Sequence, residues 1–261
     1  MGVVNVTPDS FSDGGRFASA EEAVMAARQM LAEGAAIVDV GGESTRPGSA
    51  GVSLDEELRR VVPVLEGLAG APVSVDTAKA EVARRAVALG AELVNDVTAL
   101  RGDPAMAGVV ADSGAYLCLM HMQGEPRSMQ RSPRYEDVVS EVAAFLEERL
   151  AVAVDSGIPE DRVCLDPGIG FGKTADQNLE LVRGLGALVA LGRPVVVGLS
   201  RKSTIGKALG DPEARRGSVD GSIGAAVAAF DRGAAIFRVH DVREHVEALA
   251  LAAAVERGAI A

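Results

Sequence analysis

The chain has 261 residues, of which 48% are hydrophobic and 24% charged, so it can bury a full core. Lysine and arginine together number 26 against 37 acidic residues, and the net charge of −11 argues against nonspecific binding to nucleic acid or anionic membranes. No apolar run reaches the ~20 residues that span a bilayer, and the N-terminus lacks the basic region of a signal peptide. We therefore expect a cytoplasmic protein.

A short β-branched run, a polar loop and an alanine-rich amphipathic helix recur along the chain with a period of roughly 25–35 residues. The predicted strands are residues 3–6, 36–40, 73–76, 93–96, 116–119, 163–166, 195–198 and 235–239. The predicted helices are residues 20–32, 54–68, 79–88, 104–112, 135–155, 176–189, 219–231 and 242–254.

Eight strand–helix units with apolar strands in a chain of 261 residues predict a (β/α)8 TIM barrel. An open doubly wound sheet is the alternative, but such sheets more often have fewer units. No linker or low-complexity stretch divides the chain, so we expect a single domain over residues 1–261. The two cysteines, Cys118 and Cys164, lie in apolar runs and are expected to be buried free thiols, not ligands of a metal site.

The segment VVNVTPDSFSDGG, residues 3–15, combines a buried strand with a polar loop. A simple strand-to-helix connection is one interpretation, because most such loops only connect elements. Two residues argue against it. Asn5 is an amide among valines, and leaving it buried without a partner costs roughly 1–3 kcal/mol. Phe11 is a large apolar ring in a flexible polar loop, where it is unfavourable unless something binds against it.

Active sites of TIM barrels lie at the C-terminal ends of the strands, and polar residues follow the predicted strands of this chain. Solvated loop residues would account for any one of them, but polar groups at the buried ends of apolar strands need partners. The polar residues at these ends are Asn5, Glu43–Arg46, Asp76, Asn95, Asp96, His121, Asp166, Ser200–Lys202, Arg238 and His240.

Four of these residues, Arg46, Lys202, Arg238 and His240, bring cationic groups to one mouth of an acidic protein. Such a site favours phosphate or diphosphate, because arginine offers a fork of donors and lysine a point charge. Asn5 could place an oxygen on a magnesium ion that bridges a diphosphate, although one amide is a thin basis for a metal site.

A second group, Asp76, Asn95, Asp166 and Lys202, matches the edge of a heterocycle with both donors and acceptors, such as a pterin or a purine. A structural ion pair between Asp166 and Lys202 is the alternative interpretation. The stretch DPGIGFGK, residues 166–173, resembles a glycine-rich nucleotide loop, but it lacks the spacing and the Ser/Thr of a P-loop.

Several segments together resemble the dihydropteroate synthase family, and they occur in the family's order over nearly the whole chain. They are NVTPDSFSDGG (5–15), GGESTRPGS (41–49), SVDT (74–77), NDV (95–97), MHMQG (120–124), DPGIGFGK (166–173), SRKS (200–203) and RVHDV (238–242). The resemblance implies condensation of (7,8-dihydropterin-6-yl)methyl diphosphate with 4-aminobenzoate, which gives 7,8-dihydropteroate and diphosphate in folate synthesis. It also implies a homodimer and a requirement for Mg2+.

Roles for individual residues follow from the same resemblance. Asn5 resembles the magnesium ligand, and Phe171 resembles the residue that packs near the pterin. The pterin contacts would be Asp76, Asn95, Asp166 and Lys202. The diphosphate contacts would be Thr45, Arg46, Arg238 and His240. The aminobenzoate site would consist of Phe11, Pro47, Lys202 and Ser203, and the catalytic residues would be Asp76, Lys202, Arg238 and His240.

One departure from the family pattern is that Met1 directly precedes the first strand, where members usually have a further leader. We expect the floor of the barrel to be less well covered there. Two other activities share the fold. A corrinoid-dependent methyltransferase domain needs no diphosphate clamp, so residues 5–15, Arg46 and the Arg238–His240 pair argue against it. A pterin-binding protein without catalytic activity would be expected to lose the loops, which are intact here.

Overall fold

The computed structural model describes residues 1–6, 20–44, 49 and 51–258, and its strands are parallel. Six strands pair in chain order and two further strands pair with each other. The strands are β1 (Gly2–Asn5), β2 (Val38–Gly41), β3 (Val73–Asp76), β4 (Leu93–Asp96), β5 (Tyr116–Met120), β6 (Val163–Asp166), β7 (Val196–Val197) and β8 (Ile236–Phe237).

Backbone bridges at two seams close these strands into the barrel that the sequence predicts. Gly2 bridges Val239, and the Val3 amide donates to the Val239 carbonyl at 3.0 Å. Leu165 bridges Val195 at the other seam. The two-stranded sheet β7–β8 thus fills the gap between β6 and β1. As in TIM barrels generally, the carboxyl ends of the strands meet at one face.

The strands are apolar because both of their faces are covered. Val4, Val40, Val75 and Leu165 have no solvent exposure and belong to one hydrophobic cluster with the inner faces of the helices. Branched aliphatic side chains suit such strands, since a parallel sheet buried on both faces needs apolar residues on each.

The helices lie between the strands in sequence, and side-chain caps define several of their starts. Ser53 and Ser218 each accept a backbone hydrogen bond at a helix start, Asp137 accepts two, and Thr174 forms a capping box with Gln177. The helices are α1 (Ala20–Ala32), α2 (Leu54–Gly67), α3 (Ala80–Ala88), α4 (Met106–Ser113), α5 (Val138–Asp155), α6 (Ala175–Arg183), α7 (Gly186–Val189), α8 (Ser203–Ala208), α9 (Val219–Phe230) and α10 (Val242–Arg257).

Two parts of the predicted helix pattern are wrong. The helix predicted over residues 176–189 is interrupted at Gly184 and continues as α7 after Leu185. A Cβ at Gly184 would lie 2.7 Å from a methyl group of Val139, so the packing of α6 on α5 requires a glycine there. Helix α8, directly after Lys202, was predicted as loop.

Cys118 and Cys164 are free and buried, as predicted. They face each other in register on β5 and β6. Within the described ranges, no helix is long and apolar enough to cross a membrane.

A buried carboxylate, Glu57, joins α2 to the start of α3. It has no solvent exposure, accepts a hydrogen bond from Thr77 Oγ1 at 2.6 Å and pairs with Lys79 Nζ at 2.5 Å. Lys79 also pairs with Glu43, which follows β2. Since breaking a buried pair leaves an uncompensated charge, this network stabilises the packing behind the β2 and β3 ends.

We expect Glu57→Ala to lower the free energy of unfolding by roughly 2–5 kcal/mol, because Thr77 and Lys79 lose a buried acceptor. Urea titration measures the change. Arg59→Ala is the matched control on the same helix: its side chain is 72% exposed and pairs with Glu56 at the surface. It should cost far less than Glu57→Ala, because solvent screens an exposed ion pair. Equal losses for the two variants would contradict a stabilising role for the buried pair.

Candidate active site

The strand register places the predicted polar residues in one row at the carboxyl end of the barrel. Asn5 pairs with Gly41, Gly41 with Asp76, and Asp76 with Asn95 across β1 to β4. Asp166 ends β6 beside Met120 of β5. Because the parallel strands pair without a shift in register, residues that are far apart in the sequence lie close together.

Arg238 connects two carboxylates across the inside of the barrel. Its Nε donates to Asp39 Oδ2 at 2.6 Å, and its Nη2 donates to Asp76 Oδ2 at 2.9 Å. Burial opposes the charge of this guanidinium, but Asp39 and Asp76 outweigh that effect and raise the pKa of Arg238. The structure thus pairs this arginine with two carboxylates, whereas the sequence suggested only a contact to an anion.

Asp76 is 7% exposed, and its environment favours the protonated acid. Burial raises the pKa of Asp76 to about 7, and Arg238 offsets only part of this effect. The carboxylates of Asp39, Glu57 and Asp96 raise it further. A carboxyl group tuned to this range is typical of functional sites.

The sequence analysis did not identify Asp39 as a site residue, although its position within an apolar strand is a recognisable signal. Asp39 stands between Val38 and Val40 in a strand without solvent exposure. A charged residue in such a strand requires a partner, and that partner turned out to be a pocket residue, Arg238.

The β6 end carries Asp166 and the loop that follows it. Asp166 Oδ1 accepts a hydrogen bond from the Gly168 amide at 2.7 Å. Lys202 Nζ donates to the Ile169 carbonyl and lies 4.9 Å from the centre of the Phe171 ring, within range of a cation–π contact. No ion pair within 4.0 Å joins Lys202 to Asp166 among the described residues, which counts against a purely structural pair.

Burial changes the pKa of both Lys202 and Asp166. It lowers the pKa of Lys202 to about 8, although Asp166 partly offsets the effect. It also raises the pKa of Asp166, against the pull of Lys202 and of the Gly168 amide. The ammonium of Lys202 thus lies near an aromatic ring and a carboxyl group, in a position to donate to a ligand.

Lys173 fixes the β6–α6 loop and was also not identified from the sequence as a separate residue. Its Nζ lies 2.8 Å from His121 Nδ1 and donates to the carbonyls of Gly168 and Phe171 at 3.0 Å. Burial lowers the pKa of Lys173 to about 7. Burial and then Lys173 lower the pKa of His121 to about 3, so this imidazole is neutral.

Gly168 shows how closely this loop approaches β5. It has a φ of +66°, and a Cβ there would lie 1.8 Å from the His121 carbonyl oxygen. No other residue type fits this position without moving the backbone. The motif DPGIGFGK is therefore a tightly fixed wall of the site.

The loop after β7 holds Lys202 and Ser203 through Arg201. Arg201 has a φ of 59°, a left-handed conformation that is uncommon for a residue with a side chain. Its amide donates to Ser222 Oγ at 2.9 Å and its Nε donates to Asp241 Oδ2 at 2.8 Å. These contacts compensate the strained turn that directs Lys202 into the site.

His240 lies beside Ser200, with its amide and Nδ1 both 3.1 Å from the Ser200 hydroxyl. Burial and the neighbouring Arg238 lower the pKa of His240 to about 3. The sequence analysis counted His240 among the cations of the mouth. The lowered pKa makes it neutral instead, because burial and then the nearby Arg238 disfavour a second cation.

A cavity of about 250 Å³ opens beside Asp76. Val97 and Met122 line it, and both also belong to an apolar cluster that Phe171 packs against. These apolar residues were not predicted as site residues, since a methionine or valine carries no sequence signal of binding. They supply a face on which a flat ring can pack.

The oxygen atoms near Asn5 suit a magnesium ion. Asn5 Oδ1 is a hard oxygen donor at the mouth, and it lies near Gly41, 3.6 Å from where a Cβ of that residue would be. Mg2+ typically takes one or two protein oxygens and completes its shell with water and phosphate. The described part of the chain has no cluster of three or more His, Cys, Asp or Glu residues that could hold a metal alone.

Four predicted site residues, Phe11, Thr45, Arg46 and Pro47, lie outside the described residues. Ser203 begins α8 next to Lys202.

Comparison with known proteins identifies this barrel as a pterin-binding enzyme. The model of the family described as "Pterin binding enzyme" matches residues 1–240. The dihydropteroate synthase of Escherichia coli strain K12 is 47% identical over 252 residues, which cover 95% of this chain and 88% of that protein.

Solved structures agree in fold. The Yersinia pestis dihydropteroate synthase matches with a TM-score of 0.92 and 45% identity, over 98% of this chain and 94% of that one. The Xanthomonas albilineans dihydropteroate synthase with 4-aminobenzoic acid matches with a TM-score of 0.89 and 49% identity, over 98% and 92%. The chain belongs to the dihydropteroate synthase family of pterin-binding enzymes. It is a transferase of folate biosynthesis.

We expect Asp76 to titrate near pH 7 in the ligand-free protein, because burial raises its pKa to about 7. The folded protein then binds a proton that the unfolded chain has lost above its ordinary pKa near 4. The contribution of Asp76 to stability should therefore fall as the pH rises from about 4 to 7. Carbon-13 NMR of the carboxyl groups and urea titrations at several pH values measure both effects.

Asp103 provides the control for this titration. Amide hydrogen bonds from Ala105 and Ala80 lower its pKa, so it should titrate below its ordinary range. Asp76→Asn should remove the high-pH step and flatten the pH dependence of stability. A midpoint for Asp76 near that of Asp103 would show that Arg238 compensates the burial completely.

Proposed function

We propose that this chain joins (7,8-dihydropterin-6-yl)methyl diphosphate to 4-aminobenzoate and releases diphosphate. The bond between the pterin methylene carbon and the diphosphate oxygen breaks, and its electron pair leaves with the diphosphate. The amine nitrogen then bonds to the methylene carbon and loses a proton. The observation that carries the proposal is the pairing of buried Asp76 with Arg238 in the row of polar strand ends.

The pterin would bind to Asp76, Asn95, Asp166 and Lys202. Carboxylates accept hydrogen bonds from ring and amino N–H groups, and an ammonium donates to a carbonyl oxygen, so the set matches an aminopyrimidinone edge. Phe171 would pack near the ring, since it lies beside Lys202 and the apolar wall of the cavity.

Asp76 would also stabilise charge during the reaction. As diphosphate leaves, positive charge develops on the methylene carbon and spreads into the pterin ring. A carboxylate in a site shielded from water stabilises that charge far better than water does. The positive ring would in turn favour the ionised carboxylate, which burial alone disfavours.

The diphosphate would contact Thr45, Arg46, Arg238 and His240. Arg238 can keep its Nε on Asp39 while its other nitrogens donate to an anion. Neutral His240 would serve as a hydrogen-bond donor. Asn5 would hold Mg2+ through Oδ1, and the ion would neutralise charge on the leaving diphosphate.

The aminobenzoate would lie against Phe11, Pro47, Lys202 and Ser203, near the methylene carbon.

We also propose that the enzyme is a single-domain protein of the cytoplasm. It would work as a homodimer, as the family resemblance implies. Light scattering should then give about twice the chain mass of 26.8 kDa.

Incubation of the purified protein with both substrates and Mg2+, followed by chromatographic detection of dihydropteroate and diphosphate, tests the proposal. Both products should form in equal amounts. Omission of 4-aminobenzoate is the control and should give no dihydropteroate. A protein that binds the pterin but forms no product would match the alternative of a non-catalytic pterin-binding protein.

Asp76→Asn should lower kcat by ~10²-fold or more, as expected for loss of one preorganised charge, with a modest change in the KM for the pterin substrate. In the wild type, kcat/KM should fall below about pH 7, where Asp76 becomes protonated. Steady-state kinetics across pH measure both. An increase in KM alone would show that Asp76 only binds the pterin.

Asn5→Ala should raise the magnesium concentration needed for half-maximal activity, because the ion loses an oxygen ligand. Asn5→Asp retains an oxygen donor at the same position and is the matched control. If titrations of magnesium give the same curve for Asn5→Ala and the wild type, Asn5 does not hold the ion.

A further inference from the structure

Asp39 lies inside the barrel, one layer below the row of strand ends. It has no solvent exposure and pairs in register with Val3 on β1 and Ser74 on β3. It would not touch a ligand at the mouth directly. Its partners nevertheless include two of the residues assigned to the substrate site.

Three side chains donate hydrogen bonds to the Asp39 carboxylate. Ser74 Oγ donates to Oδ1 at 2.6 Å. Asn95 Nδ2 and Arg238 Nε donate to Oδ2, at 3.1 and 2.6 Å. An ionised carboxylate only accepts hydrogen bonds, so every partner must present a donor to it.

This requirement fixes the orientation of the Asn95 amide. If the amide were flipped, its Oδ1 would face the Asp39 oxygen, and two acceptors would meet in a buried site. The observed orientation leaves Oδ1 of Asn95 for another partner. Within the described ranges, that oxygen accepts no hydrogen bond. It is also not one of their buried side-chain atoms that lack a hydrogen-bond partner.

We infer that Asp39 is a positioning residue that sets the hydrogen-bond polarity of the pterin pocket through Asn95. By holding Nδ2, it presents Oδ1 of Asn95 as an acceptor for an N–H group of a heterocyclic ligand. The inference deepens the proposed function and rests on it for the identity of the ligand.

Asp39 also holds Arg238 in place, again as a hydrogen-bond acceptor. The guanidinium keeps Nε on Asp39 while Nη2 reaches Asp76. Asp39 therefore anchors Nε of Arg238. The outer nitrogens of the guanidinium can then release Asp76 and bind a ligand anion instead. An unphosphorylated pterin removes the direct contact of Arg238 with an anion, and the Asn95→Ala background separates an effect through Asn95 from one through Arg238 and Asp76.

The test compares Asp39→Asn, Asn95→Ala and the double variant, with 6-hydroxymethylpterin as the probe in calorimetric titrations. Asp39→Asn should weaken binding about tenfold or more, because the new amide can pair with either orientation of Asn95. In the Asn95→Ala background, the same change should have little further effect. An effect of Asp39→Asn that persists in full in that background would overturn the inference, since it would show that Asp39 acts through Arg238 and Asp76 or that the fold is damaged.

A second readout needs no ligand. The side-chain N–H protons of Asn95, assigned by their loss in Asn95→Ala, should exchange slowly with solvent in the wild type. They should exchange faster in Asp39→Asn. Unchanged exchange in this variant would overturn the inference. Because this measurement involves no turnover, it separates the role of Asp39 from the proposed activity, which product formation by the wild type tests.

Ser74→Ala keeps the inference testable if Asp39→Asn does not fold. It removes the donor that holds Oδ1 of Asp39, so the carboxylate can turn away from Asn95, but it leaves the charge. We expect a loss of pterin affinity of about two- to fivefold and faster exchange of the Asn95 amide protons. If affinity and exchange both remain at wild-type values in Ser74→Ala, the carboxylate does not orient Asn95.

Discussion

The ion pairs of Arg238 with Asp39 and Asp76 determine the electrostatics of the whole barrel mouth. A single guanidinium stands between two buried carboxylates, and it offsets only part of the effect of burial on the pKa of Asp76. Burial thus raises the pKa of Asp76, and burial together with the nearby Arg238 lowers the pKa of His240 and keeps it neutral. A site of this kind suits a ligand that carries negative charge and develops positive charge during the reaction.

The positions of the strands and the row of polar residues at their ends could be predicted from the sequence. In a parallel barrel, the residue that follows an apolar run must emerge at one face, whatever the details of packing. Asn5, Asp76, Asn95 and Asp166 were found in this way. The exact ends of helices were harder to predict, because the break at Gly184 depends on a contact with Val139 on another helix.

Asp39 and Lys173 escaped prediction for a related reason. Each lies within an apolar or glycine-rich run, and its role depends on partners that only the tertiary structure supplies. Arg238 is 199 residues away from Asp39, and His121 is 52 residues away from Lys173. Charged residues in buried runs are therefore the signal to follow in a sequence of this kind, even when the partner cannot be named.

The seam between β1 and the segment that ends at Val239 has a consequence for synthesis of the chain on the ribosome. β1 to β6 can pair in the order in which they emerge, but the last seam and the cation that neutralises Asp39 come from the final part of the barrel. A nascent chain that stops before β8 would expose the unpaired edge of β1 and bury two uncompensated acids. Such an intermediate is a natural substrate for chaperones, which bind exposed strand edges until synthesis is complete.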